Sequence, residues 1–287
     1  MNSPQNQVFI QGHRGCRGLL PENSISAFEK ALSLGVSCLE LDVVISGDGE
    51  VFVSHEPFFN SEICTLPNGE LFSEAEGESI QMYSMRSDSI KQYPCGNIKH
   101  ERFPKQQVLE YRKPLLKEVF QHVKSYCKLN SIPLPYFNIE TKNRPEWYGK
   151  IQPHPEEFAA LLMAVISDEG MNERVMIQSF DLNLLRAVRE LSEDSKLIIL
   201  NEKPELGLNE LIKELGFKPD GYSPEYILAD QELVNSCEKK GIELSVWTVN
   251  TKEEMSVLFD LGIRDIITDY PDLAIELAAE KKLEVIH

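Results

Sequence analysis

Two histidines and three carboxylates have the types and spacing for acid–base chemistry around a cation. In Leu39-Glu40-Leu41-Asp42-Val43 the acids fall two apart, so in an extended strand Glu40 and Asp42 share one face. The same period groups Asn138, Glu140 and Lys142 in a second apolar run, Phe137–Lys142. Carboxylates on a buried strand are costly unless something neutralises them, and a hard cation with oxygen ligands does so. His13 closes the first apolar run of the chain, Val8–Gly12, and His55 closes Val51-Phe52-Val53-Ser54. Two histidines flanking a cation make a general acid–base pair.

The elements that position these residues follow from the turns. Only a short Gly47-Asp48-Gly49 turn, flanked by Ser46 and Glu50, separates Leu39–Ile45 from Val51–Ser54, too short a gap for a parallel crossover. The second run folds back as an antiparallel hairpin, which sets Asp42 opposite Ser54 or His55 and brings His55 to the carboxylates. Further strands are expected at Val175–Phe180, Leu197–Leu200, Gly221–Ser223, Leu244–Val249 and Asp265–Thr268. Helical patterns fill Ser24–Leu34, Pro114–Leu129, Pro155–Glu169, Leu182–Leu191, Leu208–Leu215, Gln231–Lys240, Glu253–Leu261 and Asp272–Lys282. Eight strand–helix units in order predict a closed (β/α)8 TIM barrel, with sites at the C-terminal ends of its strands. An open doubly wound sheet ranks lower, because His13-Arg14-Gly15-Cys16 is no dinucleotide fingerprint. The weakly periodic stretch from Pro57 to Lys113 reads as an inserted cap over the barrel mouth within one domain spanning residues 1–287. Its late cluster Lys99, Arg102, Lys105, Arg112 and Lys113 is a candidate offset to the acidic body, or a solvated loop.

Composition narrows the partners. A net charge of -17 argues against nucleic acid or an anionic membrane as the main partner. No run is long and apolar enough for stable membrane insertion, and the polar start Met1–Gln7 carries no leader-like run. A cytoplasmic location is the default, with an exported form whose leader has been removed as the alternative. Cys16, Cys38, Cys64, Cys95, Cys127 and Cys237 are scattered without a C-x-x-C pair and read as core thiols, not a disulfide framework.

Each residue alone has an ordinary structural reading. Glu140 and Lys142 suit an ion pair, Glu40 and Asp42 a partly exposed strand face, a lone histidine a satisfied polar group, and Trp147 or Trp247 core packing. Their conjunction at three consecutive strand ends is what a random core would rarely arrange.

The ordered motifs Gly12-His13-Arg14-Gly15, Pro21-Glu22-Asn23-Ser24, Glu40-Leu41-Asp42-Val43, Asp48-Gly49 and Val53-Ser54-His55 together resemble a glycerophosphodiester phosphodiesterase. Asn138-Ile139-Glu140-Thr141-Lys142, Gln178-Ser179-Phe180, Val246-Trp247-Thr248-Val249-Asn250 and Thr268-Asp269-Tyr270-Pro271 continue the likeness in the same order. The resemblance implies metal-dependent hydrolysis of a small-molecule glycerophosphodiester to sn-glycerol 3-phosphate and an alcohol. It makes His13 and His55 the acid–base pair and Glu40, Asp42 and Glu140 the ligands of Ca2+ or Mg2+. It further implies that Arg14 and Lys142 hold the phosphate, that Trp247 packs on glycerol, and that Asn23 or Ser24 caps the next helix. The chain departs from the family in placing Ser24 after Pro-Glu-Asn and Glu56 after the second histidine. The rivals are a related phospholipase C- or D-like enzyme on lipids, a non-catalytic glycerophosphoryl-binding barrel, and an unrelated metal-dependent barrel such as an isomerase. The head-group alcohol, the choice of metal, the acid and base assignments and the oligomeric state stay open at this level.

Overall fold

The computed structural model describes residues 6–287; of the N-terminal stretch read above, residues 1–5 lie outside it. The chain opens with β1 (Gln7–Gly12), α1 (Ile25–Leu34), β2 (Cys38–Ile45) and β3 (Val51–Val53). Two short helices follow, α2 (Glu74–Ser79) and α3 (Ser87–Ile90), before α4 (Leu116–Asn130). Strand and helix then alternate through β4 (Tyr136–Thr141), α5 (Pro155–Asp168), β5 (Val175–Ser179), α6 (Leu182–Leu191), β6 (Lys196–Asn201) and α7 (Leu208–Leu215). The last units are β7 (Gly221–Pro224), α8 (Gln231–Lys240), β8 (Glu243–Val246), α9 (Lys252–Asp260), β9 (Asp265–Thr268), α10 (Pro271–Glu280) and β10 (Glu284–Val285).

Eight of the strands, β1, β2 and β4 to β9, pair in parallel and in order, and β1 closes the ring by pairing with both β2 and β9. The molecule is a (β/α)8 TIM barrel. Local chemistry sets the helix ends. Ser24 Oγ accepts from the Ala27 backbone N–H to start α1, and Gly35, at φ 91°, ends it in the left-handed region. The outer faces of the strands pack on the helices in one apolar core. Phe120 of α4 meets Phe137 of β4 edge-on at 4.9 Å between centroids, which seats the strand carrying Glu140. Truncating so fully buried a phenylalanine to alanine costs about 3–5 kcal/mol.

The interior of the ring is layered. Cys38, Met176 and Ile198, with Phe9 and Tyr136 against them, form an apolar plug at the N-terminal ends of the strands. Two residues further along the same strands come Gln11, Glu40, Asn138 and Gln178, all buried. The strand β8 ends at Val246 rather than at Val249. Beyond it, Val249 still donates to the Ile267 carbonyl, but Trp247 bonds across to Pro224, so the segment leaves regular pairing.

The hairpin has the expected antiparallel register, with Val43 opposite Val53 and the Ser54 N–H donating to the Asp42 carbonyl at 3.0 Å. Residues 57–113 build a second apolar cluster around Phe52, Phe59, Phe72, Met82 and Ile90. Here one expectation fails. Cys64 and Cys95 are joined by a disulfide, while Cys16, Cys38, Cys127 and Cys237 are free and buried. The two bonded residues face each other in an isolated antiparallel bridge, a tertiary pairing across 31 positions that spacing alone cannot reveal.

Candidate active site

The register of β2 against β4 sets Asp42 beside Glu140 and Glu40 beside Asn138, on the inner face of the ring. Glu40, Asp42 and Glu140 thereby offer carboxylate oxygens that all lie within 4.8 Å of one another, and all three are buried. Burial, with Asp42 and Glu140 as like-charged neighbours, pushes the Glu40 carboxyl well above the usual range. Burial also opposes ionisation of Asp42, but Arg14, with His55 and Lys142, outweighs it and holds that carboxyl well below the usual range. Asp42 Oδ1 is buried without a hydrogen-bond partner. Clustered oxygens of this kind, one of them orphaned, fit a hard divalent cation.

His13 sits where β1 ends, in a turn that requires unusual backbone. Arg14 has φ 48° and Gly15 φ 87°, and a Cβ at Gly12 would meet the Gly15 carbonyl oxygen at 2.1 Å. His13 Nδ1 lies 2.6 Å from Asp269 Oδ1, and its Nε2 is 4.0 Å from Glu40 Oε2. Arg17 Nε and Asn250 Nδ2 also donate to Asp269. Burial disfavours ionised Asp269, yet His13 and Arg17 hold its carboxyl well below the usual range. An ionised carboxylate only accepts, so His13 must carry its proton on Nδ1 and turn an unprotonated Nε2 to the carboxylates. Burial, against the opposing charge of Asp269, lowers the His13 pKa to about 4.

His55 repeats the device from the hairpin. Its Nδ1 lies 2.7 Å from Glu56 Oε1, and burial of that carboxyl is outweighed by His55, lowering it to about 2. Glu56, one of the two departures noted in the sequence, therefore reaches the ring. Nε2 is again the nitrogen left for chemistry.

Charge of the opposite sign lines the same cleft, which has a volume of about 900 Å³. Arg14 is buried between Glu22 Oε1, at 2.9 Å, and Asp42 Oδ2, at 3.3 Å. Lys142 Nζ lies 2.5 Å from Glu140 Oε1 and 3.8 Å from Asp42 Oδ1. Trp247 forms the far wall, edge-on to Phe180, with its indole N–H on the Ser223 carbonyl. Trp147 lines the cleft too, stacked on Arg144. From residues 57–113, Asn60, His100 and Arg102 reach the cleft. Arg112 instead pairs with Glu110 at the surface, and Lys113 is buried with Nζ on Ser54 Oγ at 2.8 Å.

The fold thus gathers His13, Arg14, Glu40, Asp42, His55, Glu140, Lys142 and Trp247 around one cleft or its wall. Of the two capping candidates, Ser24 caps α1 and Asn23 instead holds Asp42. Sequence reasoning passed over Arg17, Glu22, Glu56, Gln178, Asn250 and Asp269 as site residues. A signal existed for Asp269. In a closed ring β9 lies beside β1, so an acid one residue past β9 falls next to a histidine one residue past β1.

The glycerophosphoryl diester phosphodiesterase family matches residues 13–273. A glycerophosphodiester phosphodiesterase of Caldanaerobacter subterraneus subsp. tengcongensis is 30% identical over 94% of this chain and 98% of its own. A solved structure from Silicibacter pomeroyi DSS-3 is 26% identical with a TM-score of 0.88, covering 99% of this chain and 97% of that one. An Oleispira antarctica phosphodiesterase, solved in complex with the product sn-glycerol-3-phosphate, shares the fold at TM-score 0.74 and 20% identity over 95% of this chain and 96% of its own. No described helix is long and apolar enough to cross a membrane. With the motif order, the ring and the matched span in agreement, the chain belongs to the glycerophosphoryl diester phosphodiesterase family, hydrolases of glycerophosphodiesters.

Proposed function

We propose that this enzyme hydrolyses small glycerophosphodiesters to sn-glycerol 3-phosphate and an alcohol, using His13 and His55 as its acid–base pair and a divalent cation held by Glu40, Asp42 and Glu140. The observation that carries this reading is the shared arrangement of the histidines. Each ties Nδ1 to a carboxylate and leaves Nε2 for a cleft lined by Glu40 and Glu140, which cluster with the buried Asp42. A bound Ca2+ or Mg2+ would supply positive charge beside the phosphoryl oxygens.

The remaining chemistry belongs to the chain. One histidine removes the proton of the glycerol hydroxyl next to the ester, whose oxygen bonds to phosphorus. The other protonates the departing alcohol as its P–O bond breaks, and water then opens the cyclic phosphate. Tethered nucleophiles of this kind reach effective molarities of ~10⁵ M or more. Arg14 and Lys142 line the cleft and would neutralise charge growing on the phosphoryl oxygens. Trp247 offers an aromatic wall for the glycerol carbons. The Oleispira antarctica product complex supports the same glycerol phosphate product here.

We read residues 1–287 as one domain, with 57–113 folded over the site. The Cys64–Cys95 disulfide supports an oxidising location, the exported alternative, over the cytoplasmic default.

A coupled assay over glycerophosphodiesters of choline, ethanolamine, glycerol and inositol, with and without chelator, tests the proposal. Chelation should abolish turnover, and Glu140→Gln should lose cation binding and activity together. Full turnover after exhaustive chelation would overturn the cation's role. A substrate lacking the glycerol 2-hydroxyl should resist cleavage; equal rates would make water the direct nucleophile.

A further inference from the structure

The middle layer of the barrel interior is made of amides. Beginning at the proposed cation site, Gln178 Nε2 donates to Glu40 Oε1 at 3.0 Å. Asn138 Nδ2 donates to Gln178 Oε1 at 3.0 Å and to Gln11 Oε1 at 2.9 Å. Gln11 Nε2 then donates to Asp265 Oδ1 at 2.7 Å, near the base of the ring. These five residues come from β1, β2, β4, β5 and β9, so the chain of bonds crosses most of the barrel.

The direction of every bond follows from its first member. As a cation ligand Glu40 would be ionised and only accept, which matches the amide nitrogen that Gln178 presents to it with the oxygen turned inward. That oxygen needs a donor, which the nitrogen of Asn138 supplies. The second hydrogen of Asn138 then goes to Gln11. Asn138 Oδ1 is left buried with no partner, a cost accepted where the double donor is needed.

Glu40 needs such help more than its neighbours. Asp42 has Arg14 and Lys142 within 4 Å, and Glu140 has Lys142. Among the described residues, the only ionisable nitrogen that close to Glu40 is His13 Nε2, at 4.0 Å. Its two oxygens are instead fixed by neutral donors, the Arg14 backbone N–H on Oε2 at 2.8 Å and Gln178 on Oε1.

We infer that Gln178, locked by Asn138, is a positioning residue that orients Glu40 for the cation, and that the amide layer exists to hold this ligand. The inference rests on the proposed ligand role of Glu40. Groups that orient metal-ligating side chains typically change affinity 10–100-fold when lost.

The test is calorimetric titration of the full-length protein with Ca2+ alone and with Mg2+ alone. Gln178→Met keeps the length and removes the donor. Asn138→Asp keeps the shape but exchanges the double donor for acceptors, which turns Gln178 the wrong way round. Each should weaken cation binding roughly 10-fold or more, with an unchanged circular dichroism spectrum. The double variant should be little worse than either single one, because both break the same bond chain. Turnover should recover at saturating cation, while the half-saturating cation concentration stays raised. Gln178→Leu, also without the donor, gives the same reading should the methionine variant fail to fold. Glu40→Gln separates the two claims. If it leaves cation affinity unchanged, Glu40 is no ligand and the proposed site fails. If it abolishes binding while the Gln178 and Asn138 variants stay within twofold of the parent, the positioning inference alone is wrong.

Discussion

Asn23 clasps Asp42 from both sides: its Nδ2 donates to Asp42 Oδ2 at 2.8 Å, and its Oδ1 accepts from the Asp42 backbone N–H at 3.3 Å. Asn23 does this from φ 55°, a left-handed conformation that asparagine tolerates better than most residues. Two substitutions separate clasp from backbone. Asn23→Gly should lose cation affinity with little loss of stability, since glycine accepts the conformation. Asn23→Ala should lose the same affinity and unfold at lower denaturant, by about 1 kcal/mol relative to glycine. Equal denaturant midpoints for the two variants would show that the backbone is not strained there.

Asp269 should matter through His13. Replacing it with asparagine removes the acceptor charge facing His13 Nδ1 and Arg17, and lets the imidazole adopt the wrong tautomer. A fall in kcat on the order of 10⁴-fold is expected, by analogy with carboxylates that orient a catalytic histidine. Calcium affinity, read by calorimetry, should change little. A kcat within tenfold of the parent would remove Asp269 from the mechanism.

Asp265 sets a pH trend in stability. Burial, with Glu243 adding to it and Gln11 opposing, raises its carboxyl to about 8, against about 3.9 for an unfolded aspartate. The folded state therefore holds the proton more tightly. Its contribution is fully present below pH ~4 and is lost as pH rises through about 8. Asp265→Asn should flatten this part of the curve and leave the variant relatively more stable at pH 9 than at pH 5. Parallel urea midpoints for the two proteins across that range would contradict the assignment.

The Cys64–Cys95 disulfide is wired to the site. Cys95 pairs through its backbone with Tyr111, whose hydroxyl donates to the Glu22 carbonyl at 2.8 Å, and Glu22 holds Arg14. The bond closes a loop of 31 positions, for which roughly 2–4 kcal/mol of stabilisation is typical. Reduction, or the Cys64→Ala/Cys95→Ala pair, should open residues 57–113 to limited proteolysis and lower kcat/KM while the barrel's circular dichroism persists. A protease-resistant, fully active reduced protein would show that residues 57–113 are held by packing alone.

The barrel and its acid-bearing strands were legible because period-two alternation writes acids such as Glu40 and Asp42 between apolar neighbours. The hairpin was legible because the five residues between Ile45 and Val51 leave no room for a parallel crossover. What stayed hidden depends on distance along the chain. Gln178 is an unremarkable amide until β5 lies beside β4 and its nitrogen meets Glu40. Glu22 and Arg17 acquire meaning only when the turn after β1 folds them over Arg14 and Asp269. The Cys64–Cys95 pairing depends on irregular loops, where neither strand nor helix periodicity offers a ruler.

The seam between β1 and β9 joins the first barrel strand to the last, and His13 meets Asp269 across it, 256 positions apart. A nascent chain that has emerged only as far as α9 already possesses both histidines and all three clustered acids, yet lacks the group that orients His13. Enzymatic turnover is therefore a clock for the final event of ring assembly. During synthesis or refolding, secondary structure and cation binding should precede it, and the first hydrolysed ester would mark the moment the two ends of the sheet find each other.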